Sequence, residues 1–211
     1  MKYKLICLDA DGVLVKGKNF WLDAHKAFGT YEKGRALTEK YLYNDYDKLA
    51  QEVVYKLWKG RDAKPFLDLV NSREYIKGIK ELFDFIRKKN WISAIISGGS
   101  YAVAKRVQKD FRVDYVFANE LIIKDGKVEG YDPEVNVGKE EKAEIIKDLC
   151  KKIGVNLKQV IYIGDTDFDI AAFKIVGKAI AFNAESEELK KHARVVVNSN
   201  DLKDVLPYLD T

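Results

Sequence analysis

The segment Lys4-Leu5-Ile6-Cys7-Leu8-Asp9-Ala10-Asp11-Gly12 decides the fold. An apolar run stops at an acid and a glycine, the pattern of a buried strand ending in a turn. It recurs at 92–96 before Ser97-Gly98-Gly99-Ser100, and at 160–163 before Gly164-Asp165-Thr166-Asp167-Phe168-Asp169. A further strand is expected at 179–182, with weaker candidates at 113–117 and 194–197. Between them lie apolar residues at helical spacing, such as Ile79, Leu82, Phe83 and Ile86, or Ile146, Leu149, Cys150 and Ile153. Strand and helix alternate, which predicts an α/β fold with a doubly wound parallel sheet covered on both faces. Asp125-Gly126 between alternating residues at 121–128 predicts a small antiparallel hairpin flap beside that sheet.

Composition narrows the class. With 47% hydrophobic and 33% charged residues, 14 Gly and 3 Pro in 211, the chain is too apolar for disorder and too poor in Gly and Pro for a fibrous protein. The net charge of +4 is spread along the chain, which is no nucleic-acid footprint. No run of 18 apolar residues spans a membrane, and the apolar N-terminal stretch stops too early for a signal peptide. Cys7 and Cys150 lack disulfide or zinc spacing and read as reduced core residues, so the expected location is cytoplasmic. Abundant Lys and Glu with a single Met suit a thermophile.

About 58 residues separate the first strand from the next core-type helix, and they read as short amphipathic helices. The expected organisation is an α/β core of 1–14 and 73–211 with an inserted helical cap at 15–72. The insertion is rich in rings: Phe20, Trp21, Phe28, Tyr31, Tyr41, Tyr43, Tyr46, Tyr55, Trp58 and Phe66. They either fill its own core or offer a surface to a substrate or to a second copy in a homodimer.

In an open parallel sheet, ligands bind at the carboxyl ends of the strands, so the three polar clusters are expected to converge on one crevice. Two carboxylates about 4 Å apart repel by about 4 kcal/mol at an effective dielectric near 20, and a cation removes that cost. Asp9, Asp165 and Asp169 offer only hard oxygens, which favours Mg²⁺ over zinc or copper. Ser97, Gly98 and Gly99, at the start of a helix, offer a hydroxyl and backbone N–H groups to an anion. Lys142, with Lys139 as its neighbouring rival, can bring a cation to the same anion. Together these groups describe phosphoryl transfer, in which one of Asp9 and Asp11 attacks phosphorus while the other handles the leaving-group proton.

On these residues the chain resembles the haloacid dehalogenase superfamily of aspartate-nucleophile phosphatases, most closely its phosphoserine phosphatase group. Asp9-Ala10-Asp11-Gly12-Val13-Leu14 resembles the first motif, Ile96-Ser97-Gly98-Gly99 the second, Lys142 the third, and Gly164-Asp165 through Asp169 the fourth. The resemblance implies a Rossmann-like core, and Asp9 as nucleophile. It makes Asp11 the general acid/base whose carbonyl also meets Mg²⁺. Ser97, Gly98 and Lys142 would hold the phosphate of a small phosphorylated metabolite, and Asp165 would ligate the metal with Asp169 in support. The chain departs from the pattern at Phe168, where the group has Asn. Lys18 and Val53 fall where it has a substrate-binding Glu and Arg. Other readings are a phosphosugar mutase of the same superfamily, a receiver-like signalling domain, or a non-catalytic protein with a relict site.

Overall fold

The computed structural model describes residues 2–42, 44–134 and 136–210. Its main sheet has six strands in the order β3-β2-β1-β6-β7-β8, every neighbouring pair parallel. They are β1 (Leu5–Leu8), β2 (Ile92–Ser100), β3 (Tyr115–Asn119), β6 (Val160–Gly164), β7 (Lys178–Phe182) and β8 (Val195–Val197). The short hairpin strands β4 (Leu121–Lys124) and β5 (Lys127–Tyr131) pair antiparallel on their own.

Alternation along β1 sorts the core. Ile6 and Leu8 face the helices α5 (Ile79–Lys88) and α6 (Tyr101–Phe111), while Leu5 and Cys7 face α7 (Glu141–Ile153), α8 (Ile170–Phe173) and α9 (Glu187–His192). Both cysteines are free and buried. No helix among the described residues is long and apolar enough to cross a membrane.

Register places the site. Leu8 lies beside Ile95 of β2 and Ile163 of β6, and the Asp9 N–H donates to the Ile163 carbonyl at 3.0 Å. Within one or two residues further on, all three strands reach their polar clusters at one edge. The chain runs from β1 to β2 and β3 on one side and returns to β6, β7 and β8 on the other, so that edge is also the topological switch point.

One element differs from expectation. Strand β2 continues past residue 96 to Ser100, and its pairing with β3 shifts between Ser97 and Ser100. Ser-Gly-Gly-Ser is therefore the bulged end of a strand, because the two small glycines let the backbone bend without leaving the sheet. The hairpin turns at Asp125 and Gly126, both at positive φ (50° and 74°), as an Asp-Gly turn requires. It docks on the inserted segment rather than on the main sheet: Ala63 N–H bonds Gly126 O, and Gly60 N–H bonds Val128 O, each at 2.8 Å.

The insertion holds α1 (Phe20–Ala27), α2 (Tyr31–Tyr41), α3 (Tyr46–Val53), a π-helical turn at Val54–Trp58, and α4 (Lys64–Ser72). Phe20, Phe28, Trp58 and Phe66 are buried and belong to the same apolar cluster as one face of the sheet. Most rings thus serve packing; Tyr55 is exposed, and Tyr43 lies outside the described residues.

Candidate active site

A crevice of about 380 Å³ opens at the carboxyl edge of the sheet. Asp9 and Asp11 enter it from β1, Ser97, Gly98 and Gly99 from β2, Asp165 from β6, and Lys142 from the first turn of α7. Lys139 does not line it. Positions remote in sequence meet because the parallel register brings three strands to the same level.

Lys142 is 1% exposed and its Nζ donates to Asp9 Oδ2 and to Asp169 Oδ1, each at 2.7 Å. Burial alone would lower this ammonium, but the Asp169 and Asp9 charges together raise it, so it stays protonated. Asp9 also accepts from the Ala10 N–H at 2.6 Å and from Ser97. Burial raises the Asp9 carboxyl, with Lys142 opposing.

Asp169, fully buried, accepts from four donors. Lys142 and the Tyr162 hydroxyl (2.9 Å) meet Oδ1, and the N–H groups of Asp165 (3.0 Å) and Thr166 (3.1 Å) meet Oδ2. Its lone-pair sites are thus taken. Asp169 aims Lys142 and fixes the turn that carries Asp165.

Asp165 is the opposite case. Its Oδ1 is buried without a hydrogen-bond partner, and burial plus the charges of Asp9 and Asp169 push the carboxyl up to about 9. One carboxylate oxygen from each of Asp9, Asp165 and Asp169 lies within 4.8 Å of the others. An orphaned oxygen among hard, mutually repelling donors fits a small divalent cation.

Gly12 forms the bend over this cluster. Its φ is +77°, and a Cβ there would sit 2.1 Å from Asp165 Oδ2, so no other residue fits without moving the acid. Asp11 is half-buried beside it, accepting from the Phe20 N–H at 3.4 Å. Burial and the Asp9 charge push its carboxyl up to about 7, while Arg73 opposes them. In the bulge, the Gly99 N–H donates to Ser97 Oγ at 3.1 Å, and Ser100 Oγ is buried without a partner.

Several contributors were not anticipated. Tyr162 is the one polar side chain in the strand Val160–Gly164, and a buried hydroxyl needs a partner, which was the available signal. Trp21 donates its indole N–H to Gly98 O at 2.8 Å. Asn119 reaches the same carbonyl at 2.9 Å while bonding the Tyr46 hydroxyl at 2.8 Å. The inserted helices are thereby tied to the bulge. At the mouth, exposed Lys18 pairs with Glu185.

A family profile described as haloacid dehalogenase-like hydrolase matches residues 6–174. The chain is 31% identical over 212 residues to a phosphoserine phosphatase of Methanocaldococcus jannaschii, covering 99% of this chain and 98% of that one. Among solved structures it is similar to a phospho-aspartyl intermediate analogue of phosphoserine phosphatase (TM-score 0.83, 27% identity, 100% of both chains). It is equally similar to a substrate-bound phosphoserine phosphatase complex (TM-score 0.84, 26% identity, 100% of both chains).

Proposed function

The chain belongs to the haloacid dehalogenase-like hydrolases, and from that premise we propose that it is a Mg²⁺-dependent phosphatase hydrolysing a small-molecule phosphate monoester through an aspartyl-phosphate on Asp9. The observation that carries this reading is the buried group of Asp9, Asp165 and Lys142, in which Asp165 Oδ1 has no protein partner.

A carboxylate oxygen of Asp9 attacks phosphorus as the ester P–O bond breaks, and the departing alkoxide takes the Asp11 proton. Asp11, now a carboxylate, then removes a proton from water; the water oxygen bonds phosphorus, the Asp9–phosphorus bond breaks, and phosphate leaves. A carboxyl pushed up to about 7 suits both halves of that cycle. Ser97, the backbone around Gly98 and Gly99, and Lys142 hold the phosphate oxygens. Asp9, Asp165 and the Asp11 carbonyl would hold Mg²⁺, with Asp169 in support, and when bound the ion neutralises the carboxylates and the phosphate as charge builds on it.

The helices of 15–72 act as a cap over the core of 1–14 and 73–211, excluding water while the phosphoenzyme stands. The two buried free thiols suit a reducing compartment, so the proposed place of action is the cytoplasm. The test is phosphate release from p-nitrophenyl phosphate, expected with Mg²⁺, absent in EDTA and absent in Asp9→Asn. Turnover by Asp9→Asn at the parental rate removes Asp9 as nucleophile.

A further inference from the structure

Beside the crevice lies another cavity, of about 110 Å³, between the inserted helices and the loop after β5. The two share the walls Asn19, Trp21, Leu42 and Tyr46, so a substrate whose phosphate sits at Asp9 has its alcohol directed toward this space. Trp21 and Tyr46 are held there through their bonds to Gly98 O and Asn119, which makes them fixed walls.

The lining is apolar, formed by Leu42, Leu49, Val53, Val54, Trp58 and Leu121. The charged residues around it are all acids: Asp47, Glu120 and Asp132. No Lys or Arg lines it among the described residues. In the adjoining crevice the lysines are Lys142, paired with Asp9 and Asp169, and Lys18 at the mouth, paired with Glu185. Inside this cavity a leaving group carrying a carboxylate would meet like charge and lose its hydration with no cation lining the walls to replace it. An apolar one loses only water. A dry cavity of about 150 Å³ lined by Leu, Ile and Phe accepts benzene, so this slightly smaller space matches a small ring or a short branched chain.

We propose that the preferred substrate is the phosphate ester of a small apolar, carboxylate-free alcohol, seated in this cavity, rather than an amino-acid phosphate. This rests on the phosphatase reading above.

The experiment compares kcat/KM for benzyl phosphate, 3-methylbutyl phosphate, methyl phosphate and O-phosphoserine, with Mg²⁺, by phosphate release. Benzyl and 3-methylbutyl alcohols leave no more readily than serine, so chemistry alone does not favour them. The apolar esters are expected to exceed phosphoserine by about tenfold or more. Val53→Ser is expected to raise KM about fourfold for 3-methylbutyl phosphate, while KM for methyl phosphate, which has no body to bury, stays the same. Phosphoserine matching or exceeding the apolar esters, or Val53→Ser raising both KM values alike, overturns the proposal and leaves the phosphatase reading intact. Failure of all four esters together overturns the phosphatase reading, and this proposal with it.

Discussion

Asp165 and Asp169 stand four positions apart and do opposite work, because one has its oxygens filled by protein donors and the other does not. Lys142 joins Asp169 to Asp9. Removing one partner of a buried ion pair leaves the others uncompensated, so Lys142→Met is expected to lose about 3–5 kcal/mol in chemical denaturation as well as activity. Unchanged stability would mean that the acids take up protons at no cost. Asp165→Asn is expected to do the reverse in EDTA. At neutral pH the metal-free fold must keep that carboxyl protonated, whereas an amide needs no proton, so the melting temperature should rise by about 2–4 °C per kcal/mol recovered. Asp9, Asp11 and Asp165 were legible in the sequence because each stands within three residues of the end of an apolar run. Tyr162 was not tied to Asp169 beforehand, since which buried hydroxyl meets which acid depends on strand register across the sheet.

At the scale of elements, α1 and α2 are locked through His25. Trp58 Nε1–H donates to Thr30 Oγ1 at 3.0 Å, and that hydroxyl lies 2.8 Å from His25 Nδ1. Burial lowers the imidazole to about 4, so it is neutral near pH 7. The unfolded chain takes a proton near pH 6.5 and the folded one only near 4, so stability is full above 6.5 and falls as pH drops through that window. The loss is about 1.4 kcal/mol per pH unit, roughly 3 kcal/mol in all. Denaturation of wild type against His25→Asn between pH 7 and 5 checks this; parallel curves would refute it. Gly34 sits inside α2, where glycine weakens a helix, and a Cβ there would lie 2.3 Å from the His25 ring. Gly34→Ala should therefore destabilise by about 1–3 kcal/mol despite better helix propensity. The same change in a His25→Ala background should be neutral or stabilising, and an equal loss in both backgrounds would exclude the ring as the cause. Neither the glycine's purpose nor the histidine's state is readable from helical period, because both arise from contact between elements.

For the whole molecule, the parallel sheet converts local signals into one site. Strand ends at residues 9, 97 and 165 are brought level by register, and the inserted helices are fastened to the bulge at Gly98 by Trp21 and Asn119. A cation held only by the folded state stabilises it by RT ln(1 + [L]/Kd), about 2.7 kcal/mol at a hundredfold excess over Kd. Mg²⁺ is thus expected to raise the melting temperature of the wild type and not of Asp165→Asn; equal shifts in both would move the ion elsewhere.

The α/β alternation, the strand positions, the helices between β1 and α5 and the acids at strand ends were determined by the sequence alone, since each depends on side-chain period and on turn chemistry within a few residues. Where β2 ends, where the hairpin docks, which donors fill Asp169 and which charges are missing around the second cavity were decided only by the tertiary structure. These are set by contacts between segments far apart in the chain, and such contacts leave no period in the sequence to read.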